Sequence, residues 1–94
     1  MSVITNTRVT TDPANSDALV DKHAALVTAL QAKESGLTNA QLGRLNDTNW
    51  VAIWHWETAV HLKEARQNPR AEAAAAFALT IDESVEDLAV IDAI

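Results

Sequence analysis

The chain has no cysteine and no tyrosine. Without cysteine there is no disulfide framework and no thiolate metal site. Basic residues are also scarce. Seven Lys and Arg stand against thirteen Asp and Glu, a net charge of −6. Phosphate backbones are gripped through Lys and Arg, and no local basic cluster makes up the deficit, so no nucleic-acid partner is expected. No apolar run approaches the roughly 20 residues of a membrane helix, so no membrane partner is expected either. The first residues, Met-Ser-Val-Ile-Thr-Asn, lack the basic-then-apolar order of a signal peptide, and a cytoplasmic location is expected. The three histidines, His23, His55 and His61, have no ligand spacing with a carboxylate, so no metal is expected.

What is present is 94 residues, 48% of them hydrophobic. That fits one small folded domain over 1–94 rather than disorder. All three tryptophans fall in Asn49 to Thr58, Asn-Trp-Val-Ala-Ile-Trp-His-Trp-Glu-Thr. Aromatic and β-branched residues favour a strand. Alternation puts Trp50, Ala52, Trp54 and Trp56 on one face and Val51, Ile53 and His55 on the other. Neither face is polar, so the strand is expected to be central and covered on both sides.

The other elements are read around it. Val3 to Thr10 alternates as a first strand, with Ile4, Asn6 and Arg8 on one face and Val3, Thr5, Thr7 and Val9 on the other. Asparagine is depleted in strands and its amide needs partners there. Thr11 to Ser16 reads as a turn, and Asn15 or Ser16 can cap a helix running to about Ser35. Leu19, His23, Leu26, Val27 and Leu30 form its buried stripe, and Gly36 is a natural C-cap. Leu37 to Leu45 is a second strand, with a bulge expected at Gly43. Asn46 to Asn49 is a turn by composition, which makes a hairpin with the tryptophan strand. Thr58 can cap a second helix, broken at Asn68-Pro69 and resumed to about Leu79. The run Ala73 to Ala76 permits close packing or leaves room for a ligand. Ile81 to Glu83 reads as a loop, with Asp82, Glu83, Glu86 and Asp87 as a solvated turn, and Val85 to Ile91 as the last strand.

This order is βαββαβ, an α+β ferredoxin-like fold: a four-stranded antiparallel sheet with two helices on one face. The opposite face is apolar and bare, which points to a homodimer packed through the open sheet face.

The chain resembles the antibiotic biosynthesis monooxygenase superfamily of dimeric α+β barrels. The features that carry the likeness are Asn6 on the first strand, Ser35-Gly36 closing the first helix, and the aromatic strand ending in Trp56-Glu57-Thr58. A helix, Asn68-Pro69 and a short last strand follow. The resemblance implies that Asn6 and Trp56 sit in a pocket between sheet and helices. In the haem-degrading branch a histidine on the second helix ligates iron. The matching stretch here, Ala73 to Ala76, has none, and His61 is misplaced for it, so no cofactor is expected. The missing tyrosine removes a side chain that some quinone-forming members use.

Oxygenation without a cofactor needs a dry pocket, donors for a developing oxyanion and a base. Asn6 and Trp56 are the candidate catalytic donors. His23 is the best-placed base, and His23, Trp54 and Phe77 are the candidate substrate-binding residues. Each has a plain packing reading beside this one. Asn6 could satisfy a neighbouring backbone group, His23 could be a satisfied core histidine, Trp50 and Trp54 could pack in the core or at the dimer face, and Phe77 could be core. His55 is expected at the dimer face and His61 at the surface. The expected function is a cofactor-independent monooxygenase acting on a small aromatic or polyketide-like molecule. The alternative is a non-catalytic homodimer that binds a small apolar ligand. A pocket holding both donors and His23 would favour the enzyme.

Overall fold

The computed structural model describes residues 2–32, 36–67 and 71–91, and only the backbone at 71, 72 and 77. Four strands form one antiparallel sheet: β1 (Val3–Thr11), β2 (Leu37–Arg44), β3 (Asn49–Trp56) and β4 (Thr80–Ala89). Their order is β2-β3-β1-β4, the ferredoxin-like arrangement. The helices are α1 (Ser16–Gln31), α2 (Ala59–Gln67) and α3 (Ala71–Phe77), with a short 3-10 turn, Pro13–Asn15, before α1.

Register decides which residues share a face. Val3 pairs with Trp56, Thr5 with Trp54, Thr7 with Ala52 and Val9 with Trp50. Directly paired residues lie on the same side of a sheet. All of these therefore face the helices, as do Leu37, Ala40 and Leu42 of β2 through their pairing with Trp56, Trp54 and Ala52. One core cluster joins Val3, Leu37 and Trp56 to Leu26 and Leu30 of α1 and Leu62 of α2. A second joins Val9 and Trp50 to Leu19. Each fully buried leucine contributes roughly 1.5–3 kcal/mol.

The caps explain the joints. Asp12, not Asn15 or Ser16, uses its side chain at the entry to α1: it accepts from the backbone of Ala14, while Asn15 makes no side-chain cap bond. Thr58 caps α2 as expected, accepting from the His61 backbone N–H at 3.3 Å. Gly36 takes φ +83°, and a Cβ there would collide with the His61 ring. His61 is thus half-buried rather than a surface residue. Its Nδ1 lies 2.7 Å from the Thr58 hydroxyl.

Three expectations shift. The bulge in β2 falls beside Thr38, between Leu37 and Asn39, and Gly43 stays in register with Val51. The last strand starts at Thr80, so Asp82, Glu83, Glu86 and Asp87 are strand residues and not a turn. An edge strand needs only one neighbour, and charge on it discourages further pairing. Val90 and Ile91 lie past the strand's end. Ser35 and Asn68-Pro69 fall outside the described residues.

The hairpin between β2 and β3 is built on Asn46. Its Oδ1 accepts from the backbone N–H of Thr48 and of Asn49, both at 3.0 Å. That is the side-chain mimic of a backbone turn.

Candidate functional site

A cavity of about 320 Å³ lies between the sheet and the helices. Its floor is Thr5, Thr7 and Val9 of β1, Trp54 and Trp56 of β3, Leu42 of β2 and Val85 of β4. Its walls are Leu19, His23, Leu26 and Leu30 of α1, with Leu62, Ala65 and Arg66 of α2. Ala73 and Ala76 of α3 also line it. Small side chains there leave the space open, one of the two outcomes expected for that run.

The polar groups in this apolar enclosure are few and placed. The Trp54 indole N–H donates to His23 Nε2 at 2.9 Å. The two rings meet edge to face, with centroids 5.6 Å apart. The Trp56 indole N–H donates to Thr5 Oγ1 at 3.2 Å. Trp54 and Trp56 lean against each other, centroids 6.0 Å apart. Burial holds the His23 imidazole below its ordinary pKa of 6.5, because a charged ring would lose hydration. His23 is therefore neutral at neutral pH, as a general base must be. Thr5 accepts from Trp56 and keeps its own hydroxyl hydrogen for another acceptor.

Arg66 reaches the cavity from α2 but its guanidinium is engaged. It donates two hydrogen bonds to Asp87 of β4, at 2.6 and 2.7 Å. Those bonds hold the Asp87 carboxyl below the usual carboxylate range. Among the described residues no three His, Cys, Asp or Glu side chains come together as a metal site would require. Among them, too, no helix is long and apolar enough to cross a membrane.

Residues 2–77 match the family model for antibiotic biosynthesis monooxygenases. The chain belongs to the antibiotic biosynthesis monooxygenase family. Solved structures agree on the fold. SnoaB of Streptomyces nogalater, a cofactor-independent oxygenase, superposes with a TM-score of 0.75 at 21% identity, covering 99% of this chain and 96% of SnoaB. Rv0793 of Mycobacterium tuberculosis gives a TM-score of 0.76 at 22% identity, over 99% of this chain and 98% of its own. A Caulobacter crescentus protein grouped with the same monooxygenases gives 0.80 at 15% identity, over 97% of this chain and 91% of its own. At these identities the likeness is one of fold. No curated protein matches the chain.

For a member of this monooxygenase family, the placement of Asn6 is the main correction. Asn6 pairs with Ile53, so it lies on the open face of the sheet, away from Trp56. It is not among the residues that line the cavity. Its Oδ1 is buried without a hydrogen-bond partner. The strand period of two is the reason: Thr5 and Thr7, its neighbours, take the cavity side. Trp56, Trp54 and His23 do come together as expected. The Phe77 side chain lies outside the described residues. Nothing in the residue pattern alone marks Thr5, Thr7 or Arg66 as cavity residues. The one pointer is that Thr5 and Thr7 share a face of their strand.

Proposed function

We propose that this chain is a cofactor-independent monooxygenase that oxidises a small aromatic or polyketide-like phenol or enol with O2. The observation that carries the reading is His23, kept neutral by burial beside the Trp54 indole in an apolar cavity. Family membership and the fold shared with SnoaB, named as a cofactor-independent oxygenase, support it.

In this mechanism His23 Nε2 takes the substrate's hydroxyl proton. The enolate or phenolate gives one electron to O2, forming superoxide and a substrate radical. The two combine to a carbon–peroxide bond. The peroxide takes back the proton held by His23. Loss of the carbon-bound hydrogen as a proton to His23, with cleavage of the O–O bond, then leaves a quinone carbonyl and hydroxide. The hydroxide takes that proton from His23, leaves as water and restores the neutral base. One oxygen atom stays in the product and the other leaves in water. The Thr5 hydroxyl, polarised by Trp56, is the donor for the developing oxyanion, since a hydroxyl that accepts one hydrogen bond donates another more strongly. Catalytic contact with substrate is thereby assigned to His23 and Thr5, a positioning role through Thr5 to Trp56, and packing contact to Trp54.

The active form is a homodimer through the open sheet face. Ile53 and Leu88 lie on that face, 37% and 48% exposed, and Ile4 sits between them, paired with Leu88 on one side and His55 on the other. Asn6 and His55 belong to this interface. A cytoplasmic location is part of the same proposal.

The second reading is a dimer that binds a small apolar ligand without turnover. It is favoured by the two cavity indole N–H groups, both already satisfied within the chain. Oxygen uptake separates the two, measured without added metal or flavin on dihydroxynaphthalenes and anthrones. Saturable uptake supports the monooxygenase. Quenching of tryptophan fluorescence by the same compounds without uptake supports the binding module.

A further inference from the structure

An indole N–H can donate but cannot accept. Its contact with His23 at 2.9 Å therefore dictates where the imidazole carries its proton. Nε2 must hold a lone pair, so the neutral ring carries its hydrogen on Nδ1. Adding a proton at Nε2 would set two N–H groups head to head and break the bond.

We infer that Trp54 is a positioning residue for His23: its indole N–H fixes the ring as the Nδ1–H tautomer and holds the Nε2 lone pair in the cavity. The inference rests on the proposed role of His23 as base. It adds how that base is prepared. A phenolic or enolic O–H is the same kind of donor as the indole N–H. Substrate takes over Nε2 by exchanging one donor for another, and a non-hydroxylated hydrocarbon cannot.

Few other groups act on this ring. Among the described side chains that line the cavity, Arg66 of α2 is the only other titratable one, and Asp87 of β4 holds it. The described lining residues of β1, β2 and α3 carry no charge. On α1 itself Asp21 and Lys22 are exposed.

The test is nitrogen NMR of the full chain labelled with ¹⁵N-histidine and ¹⁵N-tryptophan, with the His23 signals identified by their loss in His23→Gln. The native chain should show the Nδ1–H tautomer. It should also show a through-hydrogen-bond coupling between the Trp54 and His23 nitrogens that vanishes as the ring protonates. Trp54→Phe should populate the Nε2–H form and raise the titration midpoint. The expected change is about fivefold in the protonation equilibrium, or about 0.7 pH unit, from a net hydrogen bond of about 1 kcal/mol. Trp56→Phe should move neither. An Nε2–H tautomer in the native chain, no coupling, or an unchanged titration in a folded Trp54→Phe overturns the inference. Should that variant fail to fold, the coupling in the native chain decides alone. None of these readouts needs turnover. A coupled pair in a protein with no oxygen uptake would sink the proposed activity and leave this pairing standing.

Discussion

Trp56 donates its indole hydrogen to the hydroxyl of Thr5 at 3.2 Å, across the seam between β3 and β1. The two are a diagonal pair, since Thr5 stands directly opposite Trp54 and Trp56 opposite Val3. Diagonal neighbours on one sheet face are within reach of a long aromatic side chain. Thr5 is 6% exposed and Trp56 is 3% exposed, so the bond is closed to water. Thr5→Val should leave a buried N–H unpaired and cost about 1–3 kcal/mol, read by urea denaturation. Trp56→Phe on top of it should cost less than the two changes summed. Strict additivity would show that the pair does not interact.

Gly36 and His61 form a second tight relationship. The positive φ of Gly36 costs other residues roughly 1–2 kcal/mol, and any Cβ would also strike the His61 ring. Gly36→Ala should destabilise by more than the conformational cost alone. Adding His61→Ala should recover part of the loss. Equal stability of Gly36→Ala with and without His61 would remove the steric account.

The pH dependence follows from His23. Its folded pKa is depressed by burial from 6.5. The unfolded chain therefore binds a proton before the folded chain does. Stability is full above pH 6.5 and falls as pH drops from there to the folded pKa, where the loss levels off. His23→Gln should flatten stability across that window. Asp87 acts lower. Its depressed pKa adds a contribution present above the ordinary carboxylate range and lost as pH falls through the folded value. The Arg66–Asp87 pair is about half exposed on both sides, so that contribution should be well under 1 kcal/mol.

The open face of the sheet gives a test of assembly. Ile53→Glu puts a charge in the middle of that face, next to Asn6. Sedimentation of the native chain should give a dimer, and of Ile53→Glu a folded monomer. A monomeric native chain would remove the dimer from the proposal.

Much of this architecture can be read from residue patterns. The alternation in Asn49 to Trp56 and the stripe Leu19-Leu26-Leu30 each point to one local structure, and each is found. Gly36 takes the positive φ expected of it, but α1 ends earlier, at Gln31, with Ala32 as its C-cap. Strand parity on β1 was equally plain. What parity cannot say is which half of β1 faces the tryptophans, because that depends on register with a strand over forty residues away in sequence. A register one residue over would have put Asn6 beside Trp56 and sent Thr5 outward. The start of β4 was hidden for another reason. Asp82 and Glu83 look like a turn by composition, yet an edge strand tolerates charge on its solvated side. The His61 contact was out of reach because it depends on how close α2 passes to Gly36.

Oxygen uptake by the native chain, His23→Gln and Asn6→Ala on one hydroxylated aromatic substrate tests the central claim most directly. Removal of the base should lower kcat by roughly 10²–10⁴-fold, with Trp54 still able to donate to the glutamine carbonyl. Asn6→Ala, on the far face of the sheet, should keep turnover near the native rate in the dimer. Full turnover in His23→Gln, or loss of turnover in a dimeric Asn6→Ala, would contradict a reaction on the helix face of the sheet with His23 as its base.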